Sequence, residues 1–297
     1  MEIYKKLPQI IQHYKNGGNV IQFIRELKNS KKNTLEDILI SYDLQSGSYI
    51  QLLKEDPGLR DVYCELLAKE INDLGSFDSI LEVGVGEGVT INKLLEFCKF
   101  EEIYGFDISL SRLLYAQSYL DKIKHTPINL FVSDLFQIAL PDNSIDIVYT
   151  SHSIEPNGGK EKAAIEELFR VTKKYLILLE PAYDFANEEA KKRMENHGYA
   201  IDLFNRCQEG NYEIVKHELF GNSPNKMNPT GLTIIKKTIA NTKDNNYYIC
   251  PITKTNLAKS KNGYYAADSG LLYPVVDNIP CLLKNNAILV THLNNFE

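Results

Sequence analysis

Nowhere in the 297 residues is there a run approaching the ~20 consecutive apolar side chains that a bilayer-spanning helix needs. The opening MEIYKKLPQIIQHYK carries lysines with no uninterrupted apolar stretch behind them, so no secretory signal is expected. Cysteine is sparse and scattered, at Cys64, Cys98, Cys207, Cys250 and Cys281. An odd number with no CxxC pair excludes a disulfide framework and a complete cysteine zinc site, and reduced thiols packed as small apolar groups are expected instead. The expected compartment is the cytoplasm. An excess of positive charge is missing as well: the net charge is -6. Such a balance does not suit a surface built for nucleic acid backbone, and favours small molecules, sugars or protein side chains as substrates. There is no internal repeat and no low-complexity tract.

What is present falls into three stretches. Residues 1–76 read as a helical cap, with Leu35, Ile38 and Leu39 at the i, i+3, i+4 spacing of one helix face and interruptions at Asn16 to Asn19 and Ser46 to Ser48. Asp56-Pro57 has the form of a helix start, cap then proline, with Gly75 as the stop. Over residues 77–240, short apolar runs (SILEVGV, EIYGFDI, INLFVSD, IDIVYTS, KYLILLEP) alternate with helical segments. That alternation implies a mostly parallel sheet covered on both faces, a Rossmann-like α/β domain. The last two runs, NYEIVKHELF and GLTIIKKTIA, have no helix between them and read as an antiparallel hairpin at the sheet edge. Residues 241–297, after a polar linker at Asn241 to Asn246, read as a small β-rich unit.

The strongest chemical signal is Ile80-Leu81-Glu82-Val83-Gly84-Val85-Gly86-Glu87-Gly88, an apolar strand that runs into three alternate glycines and then a helix. Glycines allow a tight turn and a close approach of ligand to backbone, at the carboxyl end of a strand where open α/β sheets bind ligands. The register is GxGxG, with Val89 where a dinucleotide fingerprint has its third glycine. Glu82 and Glu87 put negative charge where a diphosphate would be repelled and a cationic cofactor attracted.

This stretch resembles the cofactor loop of the class I S-adenosylmethionine-dependent methyltransferases. The resemblance implies S-adenosyl-L-methionine as cofactor, S-adenosyl-L-homocysteine as product, and a binding set of Glu82, Gly84, Gly86, Gly88, Asp107, Ile108, Asp134, Leu135 and Ser151. Asp107, ending Tyr-Gly-Phe-Asp, is similar to the residue that accepts from both ribose hydroxyls, and Ile108 would lie on the adenine face. Asp134, in Val-Ser-Asp-Leu-Phe, resembles the acceptor for the adenine amino group, with Leu135 beside it.

The resemblance places the acceptor over the loop after the fourth strand and under the helical cap. Candidate catalytic residues there are His152, as a general base, and Glu155, as its orienting partner or a base itself. Candidate substrate contacts are Tyr42, Asp43, Gln45 and Tyr49 from a turn that could close as a lid, with Asn157, Glu180 and Tyr183 from loops after strands. The paired aspartates and asparagine that hold Mg2+ in catechol-type enzymes are absent, so no metal is expected. The Asn/Asp-Pro-Pro-Tyr/Phe motif of adenine or glutamine methylation is absent too.

Tyr248-Ile249-Cys250-Pro251-Ile252-Thr253 together with Leu272-Tyr273-Pro274-Val275-Val276-Asp277-Asn278-Ile279-Pro280 resembles the small zinc-ribbon-like domain that activates several tRNA and protein methyltransferases. Here CPxC has become CPIT, and one cysteine cannot supply four ligands. A metal-free unit held by its own apolar residues is expected. Three functions stand open: methylation of an oxygen or nitrogen of a small metabolite, sugar or natural-product-like acceptor; methylation of a translation-related protein or tRNA; and a non-catalytic S-adenosylmethionine-binding regulator. Oligomeric state is left open.

Overall fold

The computed structural model describes residues 2–30, 32–123, 127–223, 225–238 and 248–293; the linker at Asn241 to Asn246 lies outside them. Five helices open the chain: α1 (Leu7–Lys15), α2 (Val20–Lys28), α3 (Leu35–Leu44), α4 (Ser48–Glu55) and α5 (Asp61–Leu74). Their starts follow local chemistry. The Asn19 side chain accepts from the Gln22 N–H, and Thr34 with Asp37 forms a reciprocal capping box for α3. Asp37 is buried and paired to Lys28 at 2.9 Å, which locks α2 to α3.

One helix start differs from the sequence reading. Asp56-Pro57 does not begin α5; Asp56 ends α4, and its side chain accepts from the Gly58 N–H at 3.1 Å. The chain turns through Gly58 and Leu59 before the helix starts at Asp61. A side-chain bond two residues ahead makes a local turn, which competes with helix initiation. Gly75 ends α5 as expected, with φ of 132°.

The core is an α/β sheet of β1 (Ser79–Val83), β2 (Glu102–Asp107), β3 (Ile128–Val132), β4 (Ile145–Ser151), β5 (Thr172–Pro181), β6 (Glu213–Leu219) and β7 (Thr230–Lys236). Its order among the described residues is β3-β2-β1-β4-β5-β7-β6, parallel from β3 to β5, with β7 antiparallel to both β5 and β6. Between the strands run α6 (Val89–Leu94), α7 (Leu110–Leu120), α8 (Glu161–Val171), α9 (Glu188–His197) and α10 (Leu203–Glu209). Every residue of β1 is buried, the mark of a strand covered on both faces. The order reverses between β1 and β4, so the crevice of the fold opens at the carboxyl ends of these two strands.

The last unit is antiparallel: β8 (Ala258–Ser260), β9 (Gly263–Ala266), β10 (Leu271–Val276), β11 (Ile279–Pro280) and β12 (Ile288–Leu289). It is not held by its own apolar residues alone. Cys250, Leu257, Ala266, Tyr273 and Leu282 belong to the same buried cluster as Phe106, Phe131 and Leu140 of the main sheet. Backbone bonds join the two: the Leu282 N–H donates to the Val132 carbonyl at 2.9 Å and the Ile249 N–H to the Ala139 carbonyl at 3.1 Å. Among the described residues no helix is long and apolar enough to cross a membrane.

Candidate functional site

A cleft of about 420 Å³ opens at the β1/β4 reversal, lined by the glycine turn, the ends of β2 and β3, the loop after β4, and α3 to α5 of the cap. The turn after β1 requires glycine at its first position. Gly84 has φ of 69°, and a Cβ there would stand 2.5 Å from the Ser153 Cβ. Gly88 serves packing: it is the N-cap of α6 and faces Leu120 and Ala116, away from the cleft.

Asp107 and Asp134 sit at the carboxyl ends of β2 and β3, both almost fully buried and both in the cleft wall. Asp107 accepts from the Gly86 N–H at 3.0 Å and the Ser109 N–H at 2.9 Å, which fixes the carboxylate against the turn. Burial raises its pKa, opposed by the Arg112 guanidinium and these two N–H groups. The carboxylate keeps acceptor capacity for a ligand hydroxyl. Asp134 accepts from the Phe136 N–H at 3.0 Å, and burial raises its pKa too. Ile108 and Leu135 flank the same part of the cleft.

The deep end holds an acid and a guanidinium with unmet bonds. Glu82 is 2% exposed, burial pushes its carboxyl up to about 8 against the opposing effect of the nearby Tyr149 hydroxyl, and its Oε2 makes no well-formed hydrogen bond. Arg60 lines the same cleft with a buried, unpartnered Nε. Buried polar groups without partners are uncommon. A carboxylate and a guanidinium left open side by side suit a zwitterion. Nearby, Ser151 at the end of β4 shares a 2.8 Å hydrogen bond with the Tyr63 hydroxyl.

Glu87 behaves differently from the sequence reading. Its two oxygens accept from the Gly47 and Ile50 N–H groups at 2.8 Å each, so it caps α4 and clamps the cap to the glycine turn. Arg112 adds a second clamp. Its Nε donates to the Tyr42 carbonyl at 3.0 Å, and its guanidinium lies over the rings of Tyr42 and Tyr49.

On the other side, the loop after β4 is built on Glu180. This buried carboxylate accepts from the Ser153, Ile154 and Glu155 N–H groups at 3.0, 3.1 and 3.0 Å. Burial still holds it at about 7. Glu180 therefore shapes the loop and does not reach the cleft. The loop turns back at His152, whose φ is 56°. His152 Nδ1 lies 2.6 Å from Glu155 Oε2 and Nε2 lies 2.8 Å from Thr230 Oγ1, while Asn228 donates to the same Glu155 oxygen at 3.1 Å. Burial lowers the imidazole pKa, but the Glu155 bond and charge outweigh it and the net shift is upward. Glu155 is also pulled by burial, here upward, and His152 overrides it so that the net shift is down. Each partner favours the charged form of the other.

Of the residues picked from sequence, the cleft brings together Glu82, Gly84, Gly86, Asp107, Ile108, Asp134, Leu135, Ser151, His152, Glu155, Asn157, Tyr42 and Tyr49. Asp43, Gln45 and Tyr183 are used elsewhere. Asp43 accepts from the Ser109 hydroxyl at 2.7 Å, Gln45 donates to the Ser41 carbonyl at 2.9 Å, and Tyr183 donates to Glu195 at 2.5 Å. In each case a nearer partner takes the polar group. Arg60, Arg112, Arg193, Tyr199 and Asn228 also line the cleft and were not read from sequence.

Residues 80–175 match a family described as a methyltransferase domain. No curated protein matches the chain. Among solved structures, a chain in the complex between the Haloferax volcanii Trm112 methyltransferase activator and a methyltransferase superposes with a TM-score of 0.50 at 13% identity, over 66% of this chain and 98% of that one. Geranyl diphosphate methyltransferase, solved with GPP and sinefungin, gives 0.50 at 8% identity, over 61% and 78%. A SAM-dependent methyltransferase from Aquifex aeolicus gives 0.48 at 21% identity, over 63% and 97%. The first two likenesses are likenesses of fold. Residues 80–175 are thus similar to a methyltransferase domain, and the cleft, with the open polar atoms of Glu82 and Arg60 and the cradle at Gly84, fits S-adenosylmethionine.

Proposed function

We propose that this protein transfers a methyl group from S-adenosylmethionine to an oxygen or nitrogen of a small-molecule acceptor, without a metal. The observation that carries the binding site is the pair of unpartnered buried atoms, Glu82 Oε2 and Arg60 Nε, in the cleft that Asp107 and Asp134 also face. Glu82 would hold the α-amino group, Arg60 the carboxylate, Asp107 the ribose hydroxyls and Asp134 the adenine amino group, with Ile108 and Leu135 along the ring. The bound cofactor supplies a methyl group already activated by its sulfonium. The remaining requirement on the chain is alignment of an acceptor lone pair, and a base where the acceptor is a hydroxyl or a protonated amine.

His152 and Glu155 are the proposed catalytic pair, beside Ser151. His152 takes a proton only from its neutral form, which its raised pKa shifts toward higher pH, and Glu155 is the alternative base. Tyr42, Tyr49 and Asn157 are the proposed acceptor contacts. In this reading residues 1–76 are the cap, 77–240 the catalytic domain and 241–297 an appended unit, in a cytoplasmic protein. Calorimetry with S-adenosylmethionine and S-adenosylhomocysteine tests the reading, and binding of neither refutes it. Tight binding without transfer to any acceptor would favour a regulator.

A translation-related acceptor is the second reading. Its support is the resemblance of Tyr248 to Leu283 to the activator family and a fold neighbour solved with such an activator. Here the unit would stabilise the catalytic domain in the same chain. Salt-sensitive binding to bulk tRNA would favour this reading.

A further inference from the structure

A second cavity, of about 570 Å³, adjoins the cofactor cleft and shares Tyr42, Glu155, Pro156 and Tyr199 with it. It lies between the start of α2, the face of α3 that carries Ser41 and Gln45, and the end of α9 at Asn196 and His197. A nucleoside with an amino-acid tail takes up most of the first cleft, so the acceptor must extend past the shared wall.

The charges on that side are one-sided. The second cavity is lined by one carboxylate, Glu155, which is already committed to His152 and Asn228. Two arginines stand along the path and are tied to neutral groups only. Arg25 donates to Asn33 Oδ1 at 2.7 Å and to the His197 carbonyl at 2.6 Å, and Asn33 in turn donates to the Pro156 carbonyl at 2.9 Å. Arg193 donates to the Met227 carbonyl at 3.3 Å and lies over the Tyr199 ring at 5.6 Å. Among the described residues neither is within ion-pair distance of a carboxylate. In a chain with a net charge of -6, two held but unneutralised guanidinium groups beside one path are an anion site.

We propose that the methyl acceptor is a small organic anion whose carboxylate or phosphate sits on Arg193 and Arg25, with its methyl-accepting end directed past Tyr42 and Tyr199 toward His152. This rests on the methyltransferase reading of the first cleft. The test is calorimetry on the full chain saturated with S-adenosylhomocysteine, titrated with benzoate, inorganic phosphate and uncharged benzyl alcohol. Saturable binding of either anion but not of the alcohol is expected, and which anion binds tells carboxylate from phosphate. Arg193→Gln and Arg25→Gln should each weaken the anion by ~10-fold; Arg25 lies outside the first cleft, so S-adenosylhomocysteine affinity should be unchanged in Arg25→Gln, and an unshifted unfolding transition reports an intact fold in Arg193→Gln. No anion binding, equal binding of the alcohol, or indifference to Arg193→Gln overturns the proposal. Failure of S-adenosylhomocysteine to bind at all refutes instead the reading of the first cleft.

Discussion

Replacing Glu87 should loosen the cap while leaving the sheet intact. Helix α4 buries none of its residues, and its N-cap, Gly47, offers no side chain. What fixes its first turn is Glu87, 2% exposed, with one oxygen on each of the Gly47 and Ile50 N–H groups at 2.8 Å. Bonds to a charged acceptor contribute about 1.5–3 kcal/mol each, and losing a helix cap costs about 1. The two share one carboxylate and are not additive, its burial has its own desolvation cost, and the freed N–H groups are partly exposed and can reach water. Glu87→Ala should therefore cost about 2 kcal/mol, and Glu87→Gln about half of that because one acceptor survives. Urea unfolding gives the global figure, and amide exchange over residues 47–55 gives the local one. An opening made easier by 2 kcal/mol raises the open fraction by roughly 30-fold, so S-adenosylhomocysteine should also dissociate faster. If the amides of residues 47–50 exchange in Glu87→Ala as in the parent protein, the clamp is not what holds the cap.

Glu82, with a carboxyl pushed up to about 8, is largely protonated at pH 7, and a bound ammonium would lower its pKa. S-adenosylhomocysteine binding at pH 7 should thus release protons and tighten as pH rises toward 8, read by calorimetry in two buffers of different ionisation enthalpy; no release removes Glu82 from the site. Gly84→Ala places a Cβ 2.5 Å from the Ser153 Cβ at a φ of 69°, and should abolish measurable cofactor binding while costing about 1–3 kcal/mol in stability. His152, raised, stabilises the fold fully below the ordinary imidazole pKa and loses that contribution as pH climbs through its own. Glu155, lowered, keeps its share above the ordinary carboxylate pKa and loses it as pH falls through its depressed value. The stability gap between the parent protein and His152→Gln should accordingly be widest between those limits and close at alkaline pH; a gap that grows with pH contradicts the ion pair.

The strand–helix alternation, the antiparallel pair at the edge and the cofactor end of the cleft were legible because each is written locally. An apolar strand ending in glycines or an aspartate carries its signal within ten residues. The acceptor side is assembled from afar. Thr230 and Asn228 meet His152 and Glu155 across 78 and 73 residues, and only the antiparallel insertion of β7 beside β5 brings them there. Arg60 comes from the turn before α5, and Arg112 and Arg193 from two helices whose sequences are ordinary. The hydrogen bonds of Asp43, Gln45 and Glu87 were not legible for one reason: a polar side chain in a turn takes the nearest backbone or hydroxyl partner, and sequence does not say which is nearest.

The C-terminal unit follows the same logic of proximity. β3 is the edge of the parallel sheet, and an uncovered edge is prone to pair with other chains. Here the segment at Cys281 and Leu282 runs parallel to Val132 and takes its carbonyl, while the Tyr248 ring packs tilted against Phe131 with centroids 5.1 Å apart. Val132 leads directly into Ser133, Asp134 and Leu135, the segment that faces the cleft. Within the unit Cys250 meets the Tyr273 hydroxyl at 3.2 Å, and Thr253, Thr255 and Asp268 form a hydrogen-bonded chain. A unit fused to the edge strand and sharing its core does not need a rigid interior of its own, because the sheet supplies the other half of its packing. The support runs both ways, and the end of β3 that faces the cleft is held from behind by residues more than a hundred positions later in the chain.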